Sequence, residues 1–197
     1  MINNNSIKLR RIKTSELTTI GMLSAVCIVL GLTGYGFIPL PGAKATIMHI
    51  PVIIGSIIGG PMVGMTIGFI FGLFSIMQNI TTPNILSFAF INPLVSVLPR
   101  VLIGLTSYYV YKLIHVKNDS LRIGLATVVG SLTNTFGVLT MIYVLYAAKF
   151  AASKGIDPSI AAKTIYGIGL INGVPEAIIA TVITIPVILA IKKIKKR

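Results

Sequence analysis

Along the chain, long apolar stretches alternate with short polar breaks, and within the stretches the apolar positions run unbroken. A membrane β-barrel would alternate every second residue in segments of about ten. The unbroken runs predict helices instead, at about 17–34, 47–59, 61–78, 94–114, 122–147 and 165–191. A helix needs about 20 apolar residues to cross a bilayer. The second segment falls short of that, bounded by Pro51 and by the Gly-Gly-Pro at 59–61, so it is expected to lie tilted or partly buried in protein. The fold class predicted is an all-α membrane protein, six transmembrane helices in one bundle, a single domain over residues 1–197.

Composition agrees with the pattern. Of the 197 residues, 54% are hydrophobic and 11% charged, against about a quarter charged in soluble domains; mean hydropathy is +0.92. The one cysteine, Cys27, lies inside the first run, which leaves no disulfide framework and no CxxC motif. The stretch "KLRRIKTSEL" is basic, but the apolar run after it is long and lacks an A-x-A site, so no cleaved signal peptide is expected.

The net charge of +13 is a question of distribution. The cations sit in short segments at the ends of apolar runs, which is a topology signal and not a nucleic-acid surface. An even number of spans puts both termini on one side. With cytoplasmic termini, the inner side collects twelve cations (Lys8, Arg10, Arg11, Lys13, Lys112, Lys117, Arg122, Lys192, Lys193, Lys195, Lys196 and Arg197). The outer side holds four (Lys44, Lys149, Lys154 and Lys163), and Arg100 stays in the membrane. Cytoplasmic termini follow. The connections at 35–46, 79–93 and 148–164 then face outward and are the longer ones, which suggests recognition from outside.

With a side assigned, the intramembrane polar residues converge. Glu176 lies about eleven residues from the outer end of the last segment, roughly 16 Å deep. Asn172 shares its helix face, and Pro175 between them frees a backbone carbonyl. Thr133, Asn134 and Thr135 lie at similar depth in the fifth segment, and Arg100 about six residues in from the outer end of the fourth. One reading makes Arg100 and Glu176 a structural pair, with Asn134 and Asn172 satisfying leftover donors. The other makes them the lining of an outward-facing cavity in which Arg100 holds an anionic or carbonyl group. Intramembrane charges favour the second. Asn92, His49 and Lys44 join the candidate substrate contacts by their outer position, and Tyr35, Phe37, Phe88 and Phe90 are aromatics able to close over an organic ligand.

Small residues carry a second signal. Gly60, Gly64, Gly68 and Gly72 recur every fourth residue and predict close helix packing inside the bundle. Gly21 and Ala25 give the first segment a small face suited to a partner protein. Enzymatic chemistry lacks its residues: there is no HExxH, GxSxG or P-loop, and the four acidic residues supply no metal cluster. No cofactor is expected.

Three stretches, "FIPLPGAKATIMHIPVIIGSIIGGPMVGMTIGFIFGLFS" (37–75), "FINPLVSVLPRVLIG" (90–104) and "NGVPEAIIA" (172–180), resemble the substrate-binding (S) component of energy-coupling factor (ECF) vitamin transporters. The resemblance implies a vitamin or related micronutrient captured with high affinity from outside. It implies that the first helix, through Gly21 and Ala25, docks on a transmembrane coupling subunit, that two cytoplasmic ATPase subunits supply the energy, and that the component topples within the lipid to release its cargo. The family's docking pattern is usually written with two Ala, and Gly21 stands at one of the two positions here. The pantothenate-type branch is the most similar: thiamin sites in this family favour stacked aromatics including Trp, which this chain lacks, and the polar set suits a small carboxylate with hydroxyls and an amide. Riboflavin, folate or pyridoxine specificity, a stand-alone secondary carrier, and a structural subunit of a membrane complex are the alternatives.

Overall fold

A computed structural model describes the backbone of residues 13–40 and 43–195, and the side chains of 13–37 and 46–194. The terminal cations Lys8, Arg10, Arg11, Lys196 and Arg197, and the side chains of Lys44 and Lys195, lie outside the described residues.

The elements are α1 (Thr14–Thr33), β1 (Phe37–Leu40), β2 (Ala43–Thr46), α2 (Ile50–Gly59), α3 (Pro61–Thr81), α4 (Ser87–Phe90), α5 (Pro93–Ser96), α6 (Leu98–Leu113), α7 (Asp119–Lys154) and α8 (Ala161–Lys195). Helix dominates, and among the described residues five helical stretches are long and apolar enough to cross a membrane. Among the described residues, the departure from helix is the connection after α1, where β1 and β2 form a short antiparallel hairpin with Phe37 opposite Thr46.

The short second segment is the ten-residue α2, about 15 Å long against a hydrocarbon core of about 30 Å. It is apolar on every face because it is enclosed: every residue from Ile50 to Ile57 is buried, Ser56 included. Gly60, at φ 95°, turns the chain from α2 into α3, a backbone state that L side chains resist.

Three of the four repeat glycines, Gly64, Gly68 and Gly72, pack α3 internally, as their spacing predicts; Gly60 instead makes the turn, and a Cβ there would meet nothing within 4 Å. A Cβ at Gly64 would lie 2.5 Å from Ser56 and 3.0 Å from Gly104, one at Gly68 would strike the Arg100 carbonyl, and one at Gly72 would lie 2.7 Å from Val97. The α3 backbone therefore rests directly on the chain around Arg100.

Two boundaries differ from the predicted ones. The segment at 94–114 is broken at Val97 into α5 and α6. Pro99 is the reason: it has no N–H for the carbonyl four residues earlier. The predicted outer loop at 148–164 is mostly helix. Helix α7 runs on to Lys154 past a non-helical Tyr146 (φ −141°, ψ 22°) and stops at Gly155 in the left-handed region. A single 3-10 turn, capped by Asp157, leads into α8. At the opposite end of α7, Lys192 binds Asp119 at 2.6 Å and also donates to Tyr111, while Arg122 donates to the Tyr111 carbonyl. Those contacts join the ends of α6, α7 and α8.

Candidate functional site

A cavity of about 440 Å³ opens beside the hairpin, walled by α3, α6, α7 and α8. Arg100, Asn134, Asn172 and Glu176 all line it, so four of the residues chosen from sequence come together.

Arg100 is only 6% exposed, and the local sequence builds its surroundings. The carbonyl of Val95 would bond to the N–H of residue 99 in a continuous helix, but that residue is Pro99. Arg100 Nη1 donates to this carbonyl instead, at 2.8 Å. The guanidinium lies 5.5 Å from the Phe71 ring centre and 5.6 Å from that of Phe90, contacts that favour a desolvated cation. Its Nε is buried without a hydrogen-bond partner among the described residues.

Glu176 is not held as the structural pair with Arg100 that one reading of the sequence offered. Its Oε1 accepts from the backbone N–H of Thr46 (2.8 Å) and from Thr46 Oγ1 (3.0 Å), and its Oε2 from Thr135 Oγ1 (2.7 Å). No ion pair joins it to Arg100 among the described residues. The two charges are held separately, each by its own partners, and both face the same cavity. Asn134 is buried, with Oδ1 unpartnered among the described residues.

Three other candidates go elsewhere. His49 is fully buried outside the lining and pairs through Nε2 with Ser131 Oγ at 2.6 Å. Asn92 caps α5, accepting from Leu94 N at 2.9 Å and donating to Tyr146 at 3.0 Å. It therefore shapes the loop and not the cavity wall. The Lys44 side chain lies outside the described residues. Of the aromatics, Phe37 and Phe90 line the cavity; Phe88 packs on Tyr146, and Tyr35 is exposed.

A polar wall at the end of α3 was not anticipated: Ser75, Gln78, Asn79, Thr82 and Asn84 also line the cavity. Asn79 Oδ1 accepts from Asn84 Nδ2 at 3.0 Å and from Ser87 Oγ at 2.9 Å, while Gln78 donates to the Gly31 carbonyl at 3.0 Å. The signal was present, since Phe71, Ser75, Asn79 and Thr82 fall on one helical face.

Among the described residues, no three His, Cys, Asp or Glu side chains cluster to hold a metal ion. Gly21 and Ala25 lie on the exposed face of α1, where a Cβ on Gly21 would meet nothing within 4 Å.

Fold and site together define a multi-pass membrane protein with a polar, charge-bearing cavity at one end of its helical bundle. More narrowly, the chain belongs to the family of ECF transporter substrate-specific components, whose family model matches residues 15–188. Its members bind substrate for a transporter and are not enzymes. The chain is 30% identical to the pantothenic acid transporter PanT of Lactococcus lactis subsp. cremoris, over 94% of this chain and 97% of that one. It is 31% identical to the pantothenate transporter PanT of Leuconostoc mesenteroides subsp. mesenteroides, over 84% and 86% of the two chains. Among solved structures, ThiT from Listeria monocytogenes superposes with a TM-score of 0.63 over 91% of this chain and 96% of that one. At 14% identity that likeness concerns the fold.

Proposed function

We propose that this chain captures pantothenate for an ECF transporter, with Arg100 as counter-charge to the vitamin's carboxylate and Glu176 as acceptor for its hydroxyls. The observation that carries the reading is the buried Arg100, whose Nε lacks a partner among the described residues, facing one cavity with a carboxylate it does not pair with. A ligand anionic at one end and rich in hydroxyl donors at the other complements both charges. The cavity volume of about 440 Å³ falls in the range of about 300–1,000 Å³ common for small-molecule sites. The names of the two PanT relatives support the same vitamin.

In this reading α2 completes six membrane-embedded segments, both termini are cytoplasmic by the distribution of Lys and Arg, and the cavity opens outward. Gly21 and Ala25 on α1 meet a transmembrane coupling subunit, and two separate cytoplasmic ATPase subunits supply the energy.

The test is calorimetric titration of purified protein with pantothenate and with its alcohol analogue, which lacks the carboxylate. Wild-type protein is expected to prefer the acid. Arg100→Gln, checked for monodispersity and helix content, is expected to cost about 2–5 kcal/mol for the acid, at least about thirtyfold in Kd, and to erase the preference. Unchanged affinity in the folded variant would overturn the assignment.

A further inference from the structure

Helices α7 and α8 enclose a second recess on the opposite side of the cavity wall. It is a groove of about 400 Å³ between Val128 and Leu132 of α7 and Val174, Ala177, Ile178, Thr181 and Val182 of α8. Adjacent residues divide the two spaces: Glu176 lines the polar cavity and Ala177 the groove. Thr181 carries the groove's one polar side chain, and its hydroxyl is committed to the Ala177 carbonyl at 2.7 Å. The groove therefore presents hydrocarbon.

Its surroundings identify the occupant. From Ile178 a stripe of helical spacing continues through Val182, Ile185 and Leu189 to Lys193. Val182 is 66% exposed, and Leu189 is exposed as well. Lys192 is bound to Asp119, but the neighbouring Lys193 is exposed and makes no hydrogen bond or ion pair with a described residue. The eleven-residue step from Val182 to Lys193 covers about 16 Å, close to half of the roughly 30 Å hydrocarbon core. Toward the other end, Gly167 and Thr164 interrupt the stripe before it reaches Lys163.

We propose that this face is a binding site for one anionic phospholipid, its headgroup at Lys193 and the end of an acyl chain in the groove between α7 and α8. The site rests on the chain's being a membrane protein and is independent of which vitamin the cavity takes. A tail from that leaflet ends at the depth of the groove, and the stripe between gives it continuous apolar contact. The lysine supplies the charge that distinguishes an anionic headgroup from a zwitterionic one.

The chain has no tryptophan, so a single reporter is unambiguous. Val182→Trp protein is reconstituted in phosphatidylcholine vesicles containing either phosphatidylglycerol or phosphatidylcholine brominated in the terminal half of the chain, at equal mole fraction. Brominated phosphatidylglycerol is expected to associate about fivefold more strongly, the contribution of one lysine at an anionic surface. Lys193→Gln is expected to remove the preference and Lys163→Gln to leave it. A Val29→Trp reporter on the exposed face of α1 is expected to show none. Equal quenching by the two lipids at position 182, the same preference at position 29, or a preference removed by Lys163→Gln and not by Lys193→Gln would overturn the proposal.

Discussion

A guanidinium at the centre of a bilayer costs about 2.5–3.5 kcal/mol on insertion scales, and Arg100 offsets that with a carbonyl released by Pro99 and two aromatic rings. Its partner is thus local, four residues from the proline that frees it, where one reading of the sequence offered a carboxylate on another helix. Glu176, Asn172 and Asn134 were legible because polar residues deep in apolar helices have few reasons to be there. Gln78 and Asn84 were not, since amides at the end of an apolar run look the same whether they form a loop or finish a wall. Asn92 and His49 were misread for the converse reason: an N-cap and a buried hydrogen bond use the same residue types as a binding site. The satisfied state of Glu176 carries a prediction. Glu176→Gln retains an oxygen for Thr46 but loses the charge, and charged acceptors bond more strongly than neutral ones by about 1 kcal/mol or more. Pantothenate affinity is expected to fall about five- to tenfold with little change in melting temperature. Glu176→Ala, which leaves the Thr46 N–H without its acceptor, is expected to lower both. Calorimetry and thermal melts on the two variants check this.

At the scale of elements, the glycine face of α3 sets the position of the arginine. Gly68 has the Arg100 carbonyl directly above it, so a side chain there must push α6 away and carry the guanidinium off the Phe71 and Phe90 rings. Gly68→Val is expected to lower pantothenate affinity by about tenfold or more and to destabilise the protein by about 1–3 kcal/mol, the usual cost of overpacking. Gly21→Val, with open space around the site, is expected to leave both binding and stability of the isolated protein near wild type. Binding titrations and denaturation of the pair separate the two kinds of small residue. Gly64, Gly68 and Gly72 were legible as packing from their spacing alone, while Gly60, at the same spacing, serves the turn. The extension of α7 to Lys154 was not, because its last turns are amphipathic and look like a polar loop; Phe150 and Ala151 are buried there while Lys149 reaches over the Phe88 ring.

At the scale of the molecule, two clusters of charged and polar groups stand out among the described residues. The cavity lies beside the hairpin, and the Tyr111, Asp119, Arg122 and Lys192 contacts tie three helices together at the far end. Between them the core is mostly aliphatic, with Val52, Ile53, Ile67, Ile103, Ile123 and Ile188 fully buried. Among the described residues, Lys13, Lys112, Lys117, Lys149, Lys154, Lys163 and Lys193 are exposed, where salt screens them; Arg100, the charge proposed for substrate recognition, is buried against Phe71 and Phe90, where screening is much weaker. Raising ionic strength from about 0.05 to about 0.5 M is therefore expected to change the equilibrium affinity for pantothenate by no more than about threefold, measured by titration across the series. A receptor that keeps its counter-charge buried grips its cargo nearly equally in dilute and in brackish surroundings.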